Sequence, residues 1–274
     1  MNKKILISIA IILTFGIYLF IFDGSSQVIT LTILHLNDNE SQLLHAGNGI
    51  EDFGGAARVV TVVKNLRSVA TTDVVLTLSS GDNFLVGPEF KASLAASNPA
   101  LGGVNTYYDA KALDAIGYDA IVFGNHDFDL GPNLLTDFIS TGFTNTFPPY
   151  LSANLDFSRE PALQALVERG RIAKSIIIEK NGHRFGIIGA TTPNLPFISR
   201  PGNVLVNPNL TTVVQNEINA LLNGGVNKII LVSHLQDLSE DKALIAQLRG
   251  VDIAITGGSN DVLANAGDLL VPGD

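Results

Sequence analysis

The sequence predicts an α/β fold with mixed β-sheets, and two features support this prediction. Short runs of apolar and β-branched residues alternate along the chain with segments whose apolar residues recur at helical spacing. Asn181-Gly182 lies between two of the apolar runs and is a strong signal for a β-hairpin. Alternating strands and helices give parallel pairs, whereas a hairpin gives an antiparallel pair, so the sheets are expected to contain both.

The individual elements follow from the same patterns. The predicted strands are 28–36, 74–78, 120–123, 150–154, 175–178, 184–190, 228–232 and 252–256. The predicted helices are 55–69, 107–116, 133–139, 210–222 and 240–248. Gly117 directly follows the second helix and predicts its end. Segments 81–103 and 191–209 are predicted to be loops, and both are long enough to carry function.

Composition excludes several classes of function. The chain has 274 residues and a net charge of −9, which fits one large domain or two small ones. An acidic chain is not expected to bind a nucleic-acid backbone. The absence of cysteine excludes thiolate metal sites, disulfides and cysteine nucleophiles. If the protein handles phosphates, metal ions or a few placed side chains must supply the positive charge. No protein partner is evident.

Residues 1–26 have the pattern of a targeting segment. Lys3 and Lys4 precede an apolar run over residues 5–22, and Ser25 and Ser26 follow it. A cleaved secretory signal and an uncleaved membrane anchor both fit this pattern. Either one would place the body of the chain, residues 27–274, outside the cytoplasm as a periplasmic or secreted domain.

Polar residues collect where the predicted strands end. Five strands are followed within a few residues by candidate metal ligands, in the stretches 37–40, 79–83, 124–127, 233–234 and 257–261. Because open α/β sheets carry their sites at the carboxyl ends of strands, these stretches predict one shared site. For the third stretch alone, a helix start capped by Asp129 or Asn133 is the structural alternative.

The motifs resemble those of a known family. GDN and GNHDFD, together with ILHLND, FGGAARVVTVVK, YLSANLDF and FGIIGATTPNLPFIS, are similar to the 5′-nucleotidase and atypical alkaline phosphatase branch of the calcineurin-like metallophosphatases. The resemblance covers about residues 28–274. It implies a four-layer αββα sandwich of two mixed sheets, truncated at its carboxyl terminus because the family's chains continue further. It also implies two divalent metal ions that activate water for phosphate-ester hydrolysis.

The resemblance also assigns roles to residues. Asp82 would bridge the two metal ions, Asp38 and Glu40 would hold the first, and Asn125 and His234 would hold the second. The substrate would be a small phosphate ester, with a nucleotide as the favoured class.

Two further residues would act on the substrate. His126 would face the phosphate ester as the catalytic acid and Asp129 would orient it, while Asn83 would line the substrate site.

The chain departs from the family's pattern at three positions. Glu40, Ser259 and Asp261 stand where the family usually has metal-binding histidines. One interpretation is an oxygen-rich metal site that also uses Asn260 and Asp261 and favours Mn²⁺, Mg²⁺ or Ca²⁺ over Zn²⁺. The other is a degenerate site in a non-catalytic binding module. A phosphodiesterase acting on cyclic nucleotides or nucleotide sugars is also compatible with the motifs. The sequence has no tryptophan and shows no aromatic platform for a nucleotide base.

Overall fold

The computed structural model describes residues 8–9, 19–20, 28–96, 107–259 and 261. The strands are β1 Ser8–Ile9, β2 Leu19–Phe20, β3 Leu31–Leu36, β4 Val74–Ser79, β5 Ala120–Val122, β6 Tyr150–Leu151, β7 Leu155–Asp156, β8 Ile172–Ala173, β9 Ser175–Lys180, β10 His183–Thr191, β11 Leu205–Val206, β12 Ile229–His234 and β13 Ile253–Gly257. The helices are α1 Ala56–Val69, α2 Pro88–Ala96, α3 Tyr108–Ile116, α4 Gly131–Thr141, α5 Pro161–Glu168, α6 Leu195–Ile198, α7 Leu210–Asn223 and α8 Leu238–Ile245, with a 3₁₀ turn at His126–Phe128.

Two main sheets carry the architecture. The first has the order β3-β4-β5-β6-β8, and its described pairs are all parallel. The second has the order β13-β12-β10-β9, in which β9 and β10 form an antiparallel hairpin and the other pairs are parallel. Asn181 and Gly182 both have positive φ at the hairpin turn, as a type I′ turn requires, which confirms that prediction.

Three apolar clusters show that the chain is built in four layers. Helices α1, α3, α4 and α5 cover the outer face of the first sheet, with residues such as Phe138 packed near Ile121. Side chains such as Leu76 fill the space between the two sheets. Helices α7 and α8 cover the outer face of the second sheet. Leu231 and Val232 on β12 therefore point to opposite clusters, as alternate positions on a doubly covered strand do. The four-layer αββα prediction is confirmed.

Most predicted elements are present, with differences at the loops. The predicted loop 81–103 contains α2, which begins at Pro88, a residue suited to the first helical turn. The predicted loop 191–209 contains α6 and β11, and α5 was not predicted at all. The predicted strand 150–154 ends at Leu151, and Asn154 bonds instead through its side chain to Thr191.

The predicted targeting segment lies outside the described residues except for β1 and β2, which pair antiparallel. Among the helices that the structure describes, none combines the length and apolar character needed to cross a bilayer.

Candidate metal centre

The loops after β3, β4, β5, β12 and β13 meet at one edge of the sandwich. Backbone hydrogen bonds join the first two loops, from Asp38 N to Gly81 O (3.0 Å) and from Glu40 N to Asp82 O (3.1 Å). A third hydrogen bond, from Gly258 N to Asp38 Oδ2 (3.0 Å), attaches the loop after β13 to the first two loops. The sheet topology thus brings together the carboxyl ends of strands that are distant in sequence, as the polar stretches predicted.

Glycines allow these loops to approach one another closely. A Cβ on Gly124 would lie 2.0 Å from Asp82 Oδ1, and a Cβ on Gly81 would lie 2.6 Å from Gly124 N. Gly258 has a φ of +83°, and its Cβ would lie 2.8 Å from His234 Nε2. Any side chain at these positions would push the candidate ligands apart.

The first candidate ligand group consists of Asp38, Asp82 and His234, whose ligand atoms lie within 4.8 Å of one another. We call it the deep group because His234 is 0% exposed and Asp82 is almost fully buried. His234 Nδ1 lies 2.6 Å from the carbonyl oxygen of Ser80. A carbonyl can only accept, so Nδ1 donates and Nε2 carries the lone pair of the neutral ring.

The chemistry of the deep group fits a cation. His234 Nε2 lies 3.0 Å from Asp82 Oδ2 and 4.0 Å from Asp38 Oδ1, but it is not aligned for a hydrogen bond with any described group. Burial opposes a positive charge on His234, but Asp82 and Asp38 outweigh it and raise the pKa of the imidazole to about 9. Negative oxygens and one ring nitrogen thus converge on a point that favours a proton or a metal ion, and the two would compete there.

The second candidate ligand group consists of Glu40, Asp82 and His126. We call it the shallow group because the side chain of His126 is 31% exposed. His126 Nδ1 lies 2.7 Å from Asp129 Oδ2, and Ser199 Oγ donates to the other Asp129 oxygen (2.8 Å). His126 Nε2 is therefore the ring nitrogen left for a substrate or an ion. Asp82 belongs to both groups and also accepts from His126 N (2.7 Å).

Charges in the shallow group shift the protonation of its members. Burial opposes a charge on His126, but the hydrogen bond to Asp129 and the carboxylates of Asp82 and Glu40 outweigh it and raise the pKa of the ring. Burial also raises the pKa of Glu40, and Asp82 and Asp38 raise it further while His126 acts against them. A raised pKa keeps more of His126 protonated at neutral pH, as a proton donor requires.

The remaining predicted site residues are placed as follows. Asn125 is buried beside the deep group and accepts from Gln236 Nε2 through its Oδ1 (2.9 Å). Asn83 is also buried, with its Oδ1 bonded to Ser79 Oγ (2.7 Å), so little of it is open to a substrate. Asp261 is exposed, bonds to Ser259 Oγ (2.7 Å) and belongs to neither group. Asn260 lies outside the described residues.

The alternative that Asp129 or Asn133 caps a helix is wrong. Helix α4 begins at Gly131 without a side-chain cap, and Asp129 instead bonds to His126 and Ser199. Sequence reasoning also missed the residues that hold the ligands in place. Gln236 carried no signal of its own, and Ser199 was assigned no role although it ends the motif FGIIGATTPNLPFIS.

Asp127 is a further site residue to which the sequence assigned no role. It belongs to the GNHDFD stretch, is buried, and accepts from Gly124 N (2.8 Å). Burial and the charge of Asp82 raise the pKa of Asp127 well above its usual range. The hydrogen bond from Gly124 to Asp127 therefore stabilises the loop backbone that carries Asn125 and His126.

The fold and the site define a metallophosphatase-type α/β protein. The calcineurin-like phosphoesterase YfkN from Bacillus subtilis has the same fold, with a TM-score of 0.65, 20% identity, and coverage of 84% of this chain and 72% of that one. No protein-family profile matches the chain.

Within that class, the chain is related to 5′-nucleotidases. It is 32% identical over 248 residues to the 5′-nucleotidase of Diplobatis ommata, which is 88% of this chain and 39% of that protein. It superposes on a 5′-nucleotidase precursor from Thermus thermophilus with a TM-score of 0.68 and 33% identity, over 84% of this chain and 41% of that one. The chain thus spans about two fifths of the length of these relatives. The resemblance read from the motifs is confirmed.

Proposed function

We propose that the chain is the catalytic part of a metal-dependent phosphomonoesterase that hydrolyses nucleotides or other phosphate monoesters. The observation that carries the proposal is the position of Asp82, a buried carboxylate shared by two groups of candidate ligands. A carboxylate between two such groups suits a bridge between two divalent ions. The relatedness to 5′-nucleotidases supports the same reaction class.

The candidate ligands would divide between two ions, with Asp38 on the same ion as His234 and not, as the resemblance implied, on the same ion as Glu40. The deep group, with Asn125 beside it, would hold one ion, and Glu40 with Asp82 would hold the other. Bound metal would neutralise the phosphate charge and activate a water molecule for attack. Oxygen ligands predominate in this set, which favours Mn²⁺, Mg²⁺ or Ca²⁺ over Zn²⁺.

His126 and Asp129 would act on the ester itself. The hydrogen bond to Asp129 fixes the ring of His126, whose side chain is partly exposed, and leaves Nε2 as the ring nitrogen available to the ester. In this arrangement Nε2 would donate a proton to the leaving alkoxide oxygen, and the raised pKa of His126 supports this role. Asp129 positions the ring and stabilises its charge, while Ser199 positions Asp129.

The proposal extends to domain organisation and location. Residues 1–26 would direct residues 27–274 out of the cytoplasm, as a cleaved signal or as an anchor, on the evidence of the basic and apolar pattern alone. The catalytic domain would then work in the periplasm or outside the cell.

A binding module with a degenerate site is the second candidate function. It is favoured by Ser259 and Asp261, which bond to each other and belong to neither ligand group. A binding module would not depend on His126 for its function, whereas the proposed enzyme would.

Phosphate release from the full chain tests the proposal. The protein is stripped of metal with a chelator and assayed on AMP and on an aryl phosphate, with Mn²⁺, Mg²⁺, Ca²⁺ or Zn²⁺ restored singly. We expect turnover to return with one of the oxygen-preferring ions and to be lost in His126→Ala. His45→Ala is the matched control, because His45 is an exposed loop histidine outside both ligand groups. No turnover with any ion from a folded, monodisperse sample would overturn the proposal and favour the binding module.

A further inference from the structure

A small polar cavity lies between helices α1 and α3 and the loops that follow β3 and β4. Its volume is about 30 Å³, and Asn39, Asn83 and Asp109 are among the residues that line it. None of the candidate metal ligands lines it, so it is distinct from the metal centre. We call this space the α3 cavity. A water molecule needs about 10–15 Å³ of such space, so the cavity has room for one or two.

Four buried polar atoms of these lining residues have no hydrogen-bond partner among the residues that the structure describes. They are Nδ2 of Asn39, Nδ2 of Asn83 and both carboxylate oxygens of Asp109. The hydroxyl groups of Ser41 and Tyr118 lie close to Asp109 and Asn39 respectively, but neither is aligned for a hydrogen bond. Since an unpaired buried polar group costs free energy, such groups are usually bonded to the protein or to ordered water.

The types of these atoms identify the ligand that fits the cavity. Ser79 Oγ donates to Asn83 Oδ1 (2.7 Å), so Nδ2 is the end of that amide that remains to be paired. The two amide groups can only donate through Nδ2, and the carboxylate oxygens of Asp109 accept. A cation would be repelled by the amide N–H groups and an anion by the carboxylate. Water both donates and accepts, so it can bridge the two kinds of group.

Both asparagines belong to the loops that carry candidate ligands. Asn39 lies between Asp38 and Glu40, and Asn83 directly follows Asp82. Asp38, Glu40 and Asp82 all have positive φ, which is unfavourable for residues other than glycine. A backbone of this kind persists only where the surrounding structure holds it in place. A connection from the two asparagines to helix α3 would supply such a constraint.

We infer that Asp109 is a positioning residue for the metal centre and that it acts through water bound in the α3 cavity. The carboxylate of Asp109 accepts hydrogen bonds from the water, and the water accepts from the amides of Asn39 and Asn83. Helix α3 thereby sets the relative positions of the loops after β3 and β4, which carry the ligands. The inference rests on the metal centre of the proposed function.

The structural alternative is that Asp109 only stabilises the start of helix α3. It lies in the first turn of that helix, where a carboxylate interacts favourably with the helix dipole. Burial acts in the opposite direction and raises the pKa of Asp109 to about 6, above the unfolded value of about 3.9. The ionised carboxylate therefore destabilises the fold at pH 7. A residue that is kept at this cost and that lines a polar cavity fits a positioning role better than a structural one.

A second aspartate on helix α3 provides a matched comparison. Asp109 and Asp114 are both buried, but Asp114 is paired with Thr144 and Thr146 and does not line the α3 cavity. The Mn²⁺ affinity of the metal-stripped chain and the midpoint of its urea unfolding are measured at pH 7 for each variant.

We expect Asp109→Leu, which removes both acceptor oxygens at similar size, to weaken Mn²⁺ affinity by about 10- to 100-fold, as is typical for loss of a residue that supports a ligand. Its unfolding midpoint should not fall, because a buried charge is removed. Asp109→Asn retains one acceptor oxygen and should lose less affinity. Asp114→Asn should lower the unfolding midpoint and leave Mn²⁺ affinity unchanged.

Two results of this comparison would overturn the inference. One is unchanged Mn²⁺ affinity in Asp109→Leu, and the other is a loss of affinity that accompanies a lowered unfolding midpoint, as the structural alternative requires. A crystal structure of the chain tests the bridge directly. Water within hydrogen-bond distance of Asp109 and of both asparagines supports it, whereas a cavity without water overturns it.

The same measurements separate this inference from the proposed function. Mn²⁺ binding that depends on Asp109, in a chain that releases no phosphate, would support the positioning role and overturn the phosphatase. Phosphate release that is unaffected by Asp109→Leu, with unchanged Mn²⁺ affinity, would overturn the positioning role alone. A folded chain that binds none of Mn²⁺, Mg²⁺, Ca²⁺ and Zn²⁺ would overturn both.

Discussion

The deep and the shallow ligand groups share Asp82 but are built in different ways. In the deep group, the Ser80 carbonyl fixes His234, while the Gly258 amide and the Asn37 side chain both donate to Asp38. In the shallow group, the imidazole of His126 is fixed by the side chain of Asp129. The imidazole of the deep group, His234, is fully buried, whereas the imidazole of the shallow group, His126, is 31% exposed.

This difference indicates that the two groups have different roles within one site. A ligand held by backbone cannot move without moving its strand, which suits the retention of an ion. A ring held by one carboxylate at the surface can meet a substrate and exchange a proton with it. We therefore expect substitutions in the deep group to reduce metal content and substitutions in the shallow group to reduce turnover.

Asp82→Asn is expected to have the largest effect, because the two groups meet at this residue. Losing a residue that only supports a ligand typically costs 10- to 100-fold in metal affinity, and loss of a shared ligand should cost more than about 100-fold. Metal analysis after dialysis and phosphate release on the same sample measure both consequences. Full metal occupancy in Asp82→Asn would contradict the bridging role.

His126→Ala is expected to separate turnover from metal content. If His126 is the acid, turnover should fall by about 10²- to 10⁴-fold while both ions remain bound. His126 also lies within ligand distance of Glu40 and Asp82, so the metal count decides between two roles. Loss of one ion per chain would make His126 a ligand and would erase the distinction between the groups.

Gly124 and Gly131 offer a matched pair for the role of backbone packing. A Cβ on Gly124 would overlap the Asp82 carboxylate, whereas a Cβ on Gly131 meets nothing within 4 Å. Gly124→Ala should therefore lose metal binding. Gly131 has a φ of +81°, so Gly131→Ala should cost only about 1–2 kcal/mol of stability, with metal content unchanged. Equal metal content in the two variants would show that close loop approach is not what builds the deep group.

Substitution of Asp114 is expected to have the smallest effect on the site, and it provides a control for pH experiments. Burial alone would raise its pKa, but hydrogen bonds from Thr146 and Thr144 outweigh it and hold the pKa well below its usual range. A pKa lower in the folded than in the unfolded state stabilises the fold above the unfolded pKa of about 3.9, and this stabilisation is lost as the pH falls further.

We expect Asp114→Asn to reduce the free energy of unfolding by about 2–3 kcal/mol at pH 7 and by less near pH 3. Urea denaturation at both values measures the difference. Asp52→Asn, at an exposed carboxylate, should have no such effect. If Asp114→Asn reduced the free energy of unfolding equally at both pH values, the hydrogen bonds to Asp114 would not depend on its negative charge. Activity lost well above pH 4 would then arise from the site and not from this part of the scaffold.

Most of the fold could be predicted because strands such as β4 and β12 are apolar on both faces and helices such as α7 have a clear apolar stripe. Helix α2 could not be predicted, because its apolar residues do not lie on one face of the helix. The strand at residue 150 was predicted too long because Asn154 uses its side chain to bond across to Thr191. No local sequence pattern predicts such a side-chain contact.

The candidate site could be predicted in its residues more than in its arrangement. Asp82, His126 and His234 stand at strand ends that topology brings together. Asp38 and Glu40 are two positions apart in the sequence, yet they belong to different ligand groups, and both have positive φ, which no local sequence pattern predicted. Supporting residues such as Ser199, which lies 70 positions from Asp129, have no sequence pattern that identifies their hydrogen-bond partner.

The hydrogen bond between Gly258 and Asp38 has a consequence for how the protein matures. It joins residues that are 220 positions apart, so the deep group exists only after the chain between them has folded. A nascent or partly threaded chain therefore has no assembled pocket for an ion, and metal loading follows folding. If the chain crosses a membrane unfolded, it acquires its metal from the compartment it reaches, and the ion supply there determines which metal it carries.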